Sequence, residues 1–367
     1  MRLFETRSAA VVPFEPGEIV RMYTCGITPY DATHVGHAAT FLAYDVLQRR
    51  LRDLGHETRC VRNITDVDDD ILERAQHLGV HYLDLAANAL VTFEADMSAL
   101  GLLPAWSEPR ATSAISDVRS FVGRVLDSGH AYEAEGSVFF DVSTSPRFGE
   151  LSGFAVDVMH ERSAAAERDL PGRRDPLDFV LWQPSRDGEP TWTSRWGPGR
   201  PGWHVECAAL AVRELGPQID LHGGGDDLVH PHHECEQAQV EAVTGRRFVT
   251  HWMHTAAVHA DGAKMAKSTG NMTFVAELRR RHDPMAIRLA IVGHHYRTPW
   301  EWRDDLVDAA ADRLAVWRAA GAGDGALDDV RAALDDDLDT PGALRAVDAA
   351  VDAGHGVSDA MALLGVS

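Results

Sequence analysis

One stretch, Tyr23-Thr-Cys-Gly-Ile-Thr-Pro-Tyr-Asp-Ala-Thr-His-Val-Gly-His37, constrains the chain more than any other. It follows an apolar run from Ile19 to Tyr23 that reads as a buried strand. From Ala38 the spacing becomes helical, with Phe41, Tyr44, Leu47, Leu51 and Leu54 three and four residues apart and Gly55 as the stop. A strand, a tight turn and a helix N-terminus bring backbone N–H groups and the helix dipole together, which suits a phosphate. Gly36, between His34 and His37, lets the backbone approach such a ligand, and Cys25 sits just upstream. The turn reads as half of an ATP site beside a metal site.

The rest of the chain repeats the alternation. Thr58 to Val61 reads as a strand and the acidic corner Asn63 to Asp70 opens a helix ending at Gly79. Two more helices follow, stopped by Gly101 and Gly129. This rhythm predicts an α/β fold built on a Rossmann-like, doubly wound parallel sheet. It breaks between Ala131 and Trp196, where Tyr132 to Phe140 reads as a hairpin and Glu161 to Pro176 as a polar loop. Alternation returns with a helix through Cys207 and Leu215, a strand Ile219 to Leu221, a helix from about Pro231 and a strand from Thr250 to Val258. From Met285 onward the pattern is all-helical, with Ala319 to Ala326 as a linker and Thr340-Pro341 as N-cap and first helical residue. The expected division is 1–130 and 197–258 as two halves of the sheet domain, 131–196 as an inserted α+β subdomain, 259–300 as a lysine-loop region and 301–367 as a helical domain.

Composition narrows the setting. There is no apolar run of about 18 residues to span a membrane, and the first residues lack a signal-peptide core. Four scattered cysteines do not form a disulfide framework, so a reducing cytoplasm is expected. With 35 basic against 56 acidic residues the formal charge is −21, which disfavours extended contact with a nucleic acid.

Two constellations carry chemistry. Cys25, Cys207, His232 and Glu236 have the donor types of a zinc site, and the last two lie four apart on a predicted helix. Cys207 is expected in the first turn of its helix, where the dipole favours the thiolate. The plain alternative is that each cysteine is a small buried apolar residue. The second constellation pairs His34-Val-Gly-His37 with Lys264-Met-Ala-Lys-Ser268, a basic loop between Gly262 and Gly270 that suits a triphosphate. A lysine pair alone would read as a solvated turn.

The histidine and lysine motifs resemble the two signatures of class I aminoacyl-tRNA synthetases. The cysteine branch is matched over nearly the whole chain, by Cys25-Gly-Ile-Thr, Asn63 to Asp69, Asp175 to Trp182, Arg200 to Cys207, His222-Gly-Gly-Gly225 and Pro231-His-His-Glu234. Within that branch the Cys25–His34 stretch and the ending Ala-Leu-Leu-Gly-Val366 resemble the mycothiol cysteine ligases. The resemblance implies Zn2+ on Cys25, Cys207 and His232, with Glu236 as a fourth ligand or an unused remnant. It implies a cysteine pocket of Cys25, Gly26, Thr28, Thr65 and Trp203, although Trp203 also reads as simple core. ATP, with Mg2+, would lie on His34, Gly36, His37, Gly223, Gly224, Gly225, Asp227, Lys264, Lys267 and Ser268, with His34, His37, Lys264 and Lys267 catalytic.

Three residues depart from the pattern: Ala266 for a serine, Glu236 where the ligase branch is expected to lack the acid, and Asp70 for a lysine. The implied activity joins L-cysteine, through its adenylate, to the amine of glucosaminyl-inositol. The hundred residues after Lys267 read as one helical unit, without the further region that a synthetase would use for an anticodon. A small amine acceptor is therefore expected rather than tRNA, on a monomer. The rivals are a truncated cysteinyl-tRNA synthetase, a paralogue loading cysteine onto another acceptor, and a catalytically silent zinc-binding regulator.

Overall fold

The structure, a computed structural model, describes residues 1–166, 168–265 and 270–367. Its centre is a four-stranded sheet in the order Val249–Thr255, Ile219–Gly225, Ile19–Ile27, Glu57–Ile64, with every pair parallel. These strands are buried along most of their length, as a parallel sheet covered on both faces requires. Their side chains feed two cores. Met22, Leu221 and Met253 join the cluster beneath the helix Val35–Asp53 and the C-terminal helices. Tyr23, Cys25, Ile219 and Trp252 join the cluster on the opposite face, with the helices Ile115–Asp127, Trp203–Leu215 and Glu234–Thr244.

The order places the site. From the Ile19–Ile27 strand the chain moves outward to Glu57–Ile64, and from Ile219–Gly225 it moves outward the other way to Val249–Thr255. Strand order reverses between Ile19–Ile27 and Ile219–Gly225. In open parallel sheets a crevice forms at the carboxyl ends of strands where the order reverses. Here those ends are the Cys25–His37 turn and the glycine run Gly223–Gly225.

Between the two halves lies an antiparallel sheet in the order Ala131–Ala134, Ser137–Phe140, Phe179–Gln183, Arg200–Pro201. Its last strand runs through Gly202 into the Trp203 helix. A Cβ on Gly202 would lie 2.1 Å from the Val180 carbonyl oxygen, so only glycine fits.

Several local expectations are corrected. Glu161–Ala166 is not loop but the second half of a helix, Val156–Ala166, seated through buried Met159 and Ser163. The helix expected near Pro231 begins at Glu234, after a tight turn over Val229–His233. The end of the chain is not purely helical: Trp300–Glu301 pairs parallel with Val258–Ala260. Helix Asp305–Ala320 runs into the expected linker. The cap of helix Thr340–Asp352 is Asp339, whose carboxylate accepts from Gly342 N–H, so Thr340 is the first helical residue. Among the described residues no helix is long and apolar enough to cross a membrane.

Candidate active site

A cavity of about 650 Å3 occupies the crevice. Its floor holds Cys25, Cys207 and His232, which are 7%, 1% and 1% exposed. Cys25 is aimed there by a bulge. Thr24 pairs with Arg62 and Ile27 with Ile64, so the first strand carries one extra residue at Cys25–Gly26. Gly26 N–H donates to Asn63 Oδ1 at 2.9 Å, and a Cβ on Gly26 would sit 1.6 Å from the Asn63 carbonyl oxygen.

One ligating atom each from Cys25, Cys207, His232 and Glu236 lies within 4.8 Å of the others. Glu236 Oε1 is 3.1 Å from His232 Nε2 and accepts from the Cys25 thiol at 3.5 Å. His232 stands in the turn before the helix rather than on it, so the shared helical face is not what brings the pair together. Its ring stacks on Trp203 at 4.2 Å, and its Nδ1 lies 2.9 Å from His204 Nδ1, which leaves Nε2 facing the cluster. Cys207 is the fifth residue of its helix, beyond the first turn. Its pKa falls to about 6 because Cys25 hydrogen-bonds to it against the cost of burial, and His232 adds positive charge. The Cys25 thiol is pushed up by burial and by sharing that bond. For His232 burial is outweighed by Glu236 and Cys207, and the pKa rises to about 10. For Glu236 burial is outweighed by His222 and His232, and the pKa drops to about 2. Two thiols, an imidazole and a carboxylate converging at the cavity floor are the donor set zinc prefers, so the residues fit that ion.

The opposite wall carries the nucleotide candidates. His34 caps the Val35–Asp53 helix and its Nδ1 accepts from Gly36 N–H at 3.1 Å, while the His34 and His37 rings stack at 3.8 Å. Val35 N–H is taken by Thr273 O. Two of the helix's first amides are therefore occupied, and the terminus offers a phosphate less than the bare motif suggests. Lys264 Nζ reaches Asp227 Oδ2 at 3.4 Å across the cavity mouth, and both side chains are largely exposed. Gly225 lines the cavity, whereas a Cβ on Gly223 would strike Met253 O and Tyr44 Oη. Gly223 is thus required for sheet packing. Thr28, Thr65 and Trp203 line the cavity beside the cysteines, and Trp203 is only half-buried, so it is wall rather than core. Lys267, Ser268 and Ala266 lie outside the described residues.

Over residues 11–312 the sequence matches the family described as tRNA synthetases class I (C) catalytic domain. The chain belongs to that family. It is 45% identical over 363 residues to the L-cysteine:1D-myo-inositol 2-amino-2-deoxy-α-D-glucopyranoside ligase of Streptosporangium roseum, covering 96% of this chain and 89% of that one. It is 48% identical over 348 residues to the Thermobifida fusca ligase of the same name, with 92% and 84% covered. In fold it is similar to Mycobacterium tuberculosis methionyl-tRNA synthetase in complex with methionyl-adenylate. The TM-score is 0.69 at 16% identity, covering 92% of this chain and 82% of the other. The expected class I synthetase-type fold is therefore present.

Three buried histidines stand behind the floor; the sequence reading quoted His222 and His233 within matched motifs without giving them a role, and it left out His254. His222 Nε2 lies 3.1 Å from Glu236 Oε2, and His233 Nε2 lies 3.3 Å from the Cys25 sulfur. His233 Nδ1 in turn meets His254 Nε2 at 2.7 Å. The one available signal was a histidine inside an apolar strand and next to three glycines, at His222. A polar residue there is costly unless it is partnered.

Proposed function

We propose that this chain is an ATP-dependent ligase of the mycothiol type. It activates L-cysteine as cysteinyl adenylate and transfers it to the amine of glucosaminyl-inositol, releasing AMP and pyrophosphate. The observation that carries the reading is the facing arrangement in one cavity: a thiol-rich donor set on the floor and the His34–His37 turn with Lys264 on the wall. The identity to the named ligases along nearly the whole of both chains supports the choice of acceptor.

Cys25, Cys207 and His232, with Glu236 beside them, would hold zinc, which when bound supplies a soft position for the substrate sulfur. Sulfur rather than oxygen is thereby preferred, and an apolar pocket could not achieve this alone, since a one-group difference is worth only about 1–3 kcal/mol there. Trp203, Thr28 and Thr65 shape the pocket around the amino acid, whose carboxylate then points toward the His34–His37 wall. In the first step a carboxylate oxygen attacks the α-phosphorus of ATP and pyrophosphate leaves. His34, His37 and Lys264 stabilise the charge that builds on the phosphoryl oxygens, with Mg2+ accompanying the nucleotide. In the second step the acceptor amine attacks the adenylate carbonyl, AMP leaves and an amide remains. Lys267, Gly36, Gly225, Ser268 and Asp227 complete the nucleotide contacts in this reading. A cytoplasmic setting suits an enzyme whose four cysteines are all free thiols.

Cysteine-dependent exchange of pyrophosphate into ATP tests the first step, and AMP release with glucosaminyl-inositol or with tRNA tests the second. Exchange together with AMP release on the amino sugar is expected. Cysteinylation of tRNA alone would sink the acceptor assignment, and no exchange at all would leave the silent zinc-binding protein as the better reading.

A further inference from the structure

Thr28 and Thr65 both line the cavity, and the side chains behind them treat their hydroxyls in opposite ways. Thr28 Oγ1 donates to Asp68 Oδ2 at 3.0 Å. Asp68 caps the helix Asp69–Leu78, and its other oxygen accepts from Ile71 N–H at 2.9 Å, so the backbone holds the carboxylate in place. Thr65 Oγ1 instead accepts, from Asn63 Nδ2 at 3.0 Å. The Asn63 amide is fixed in that orientation, because Gly26 N–H donates to its Oδ1 at 2.9 Å. Asn63 and Thr65 are both buried.

A hydroxyl has one proton and two lone pairs. Thr28 directs its proton to a carboxylate, so it offers lone pairs to the cavity. Thr65 has a lone pair taken by an amide and, among the described residues, no acceptor for its own proton, so it offers that proton. An ammonium group only donates and a carboxylate only accepts. Thr28 therefore suits the first and Thr65 the second. With the sulfur of the amino acid at the cavity floor, these two contacts make three, enough to fix the configuration of an α-carbon.

We propose that Asp68 and Asn63 are positioning residues that give Thr28 and Thr65 opposite hydrogen-bond polarity. The pocket then reads the ammonium of a thiol amino acid at Thr28 and one oxygen of its carboxylate at Thr65. This rests on the reading above, in which cysteine occupies this pocket.

The test uses cysteine-dependent pyrophosphate exchange by the full-length protein, inhibited by cysteamine, which lacks the carboxylate, or by 3-mercaptopropionate, which lacks the ammonium. Burial lifts the Asp68 carboxyl to about 7. Assays are therefore run at about pH 8.5, where the group is ionised and only accepts. Thr28→Val should weaken inhibition by cysteamine roughly tenfold and leave 3-mercaptopropionate unchanged, and Thr65→Val should do the reverse. Asparagine caps a helix as well as aspartate. In Asp68→Asn the Oδ1 stays on Ile71 N–H and the Nδ2 donates to Thr28, whose proton is turned toward the ammonium. Asp68→Asn should therefore match or exceed the cysteamine loss of Thr28→Val, keep the parent's KM for ATP, and add nothing when combined with Thr28→Val.

A valine variant that weakens both inhibitors alike would overturn the inference. So would an Asp68→Asn variant that keeps the parent's response to cysteamine, or one whose effect adds to that of Thr28→Val, since the carboxylate would then act by charge alone. A parent that exchanges with cysteine yet is inhibited by neither thiol would also overturn it, leaving the functional reading intact. A parent without exchange would overturn that reading and this inference with it.

Discussion

Cys25 and Cys207 are both small, buried and reduced, and what separates them is charge. Cys207 has the Cys25 thiol and His232 as neighbours, which hold it toward the thiolate, whereas burial and the same shared bond push Cys25 the other way. The sequence placed Cys207 at a helix N-terminus and credited the dipole. The structure replaces that cause with two side chains from distant segments. Cys207→Ser would exchange a soft ligand for a hydroxyl that zinc binds poorly. Bound zinc should fall from about one per chain to nearly none, and cysteine-dependent exchange should drop by more than the ~10–100-fold typical of outer contacts. Metal analysis and exchange kinetics on the purified variant check this, and a variant that keeps its zinc would refute Cys207 as a ligand.

The strand Ile19–Ile27 performs two tasks, and Gly26 is where they meet. The bulge turns Cys25 into the cavity, and the absent Cβ lets the Glu57–Ile64 strand close on it. Gly26→Ala must push the two strands apart against a backbone carbonyl, a worse clash than the overpacking that costs about 1–3 kcal/mol. Denaturant unfolding should show a loss of at least that size together with lost metal binding. A variant as stable as the parent would mean that the strand relaxes freely.

A second element-level prediction concerns acid. Glu189 lies at 2.9 Å from Arg200 Nε and 3.1 Å from Arg168 Nη1. Burial is outweighed by Arg200, the Arg186 N–H and Arg168, so its pKa drops from the ordinary 4.5 to about 2. A lowered carboxylate pKa contributes stability that is present above the ordinary value and is lost as pH falls through the folded one. Solvent screens a group this near the surface, so that contribution is on the order of 1 kcal/mol. Glu189→Gln should therefore flatten the acid limb of the stability profile between about pH 5 and pH 2, read by unfolding at stepped pH. An unchanged limb would show that other carboxylates set it. Glycine stops and apolar spacing made most helices legible in the chain. The Val156–Ala166 helix was hidden because its charged exposed face dominates the composition while buried Met159 and Ser163 seat it.

At the scale of the whole molecule, the helix that starts at the histidine turn is locked to the end of the chain. Asp45, fully buried on that helix, pairs with the fully buried Arg288, which also donates to the Leu364 and Leu100 carbonyls. Removing one partner of a buried pair leaves the other charge uncompensated, at a cost of roughly 3–5 kcal/mol. Asp45→Asn should lower the unfolding midpoint accordingly, with exchange activity lost in parallel. Retained stability would mean that Arg288 is satisfied by carbonyls alone. The C-terminal helices thus brace the helix that opens at the histidine turn.

The sequence by itself determined the alternation of elements, the glycine stops of several helices and the strand–turn–helix around Cys25 to His37, because these depend on periodicity and on glycine and proline within a few residues. It also held the donor types of the floor, though not their meeting. Cys25, Cys207 and His232 are far apart in the chain, and they converge because the sheet order reverses between Ile19–Ile27 and Ile219–Gly225. Strand order and the bulge at Gly26 were decided by the tertiary structure. The physical reason is that pairing distant segments and excluding water from between them are properties of packing, and no local pattern of residues encodes them.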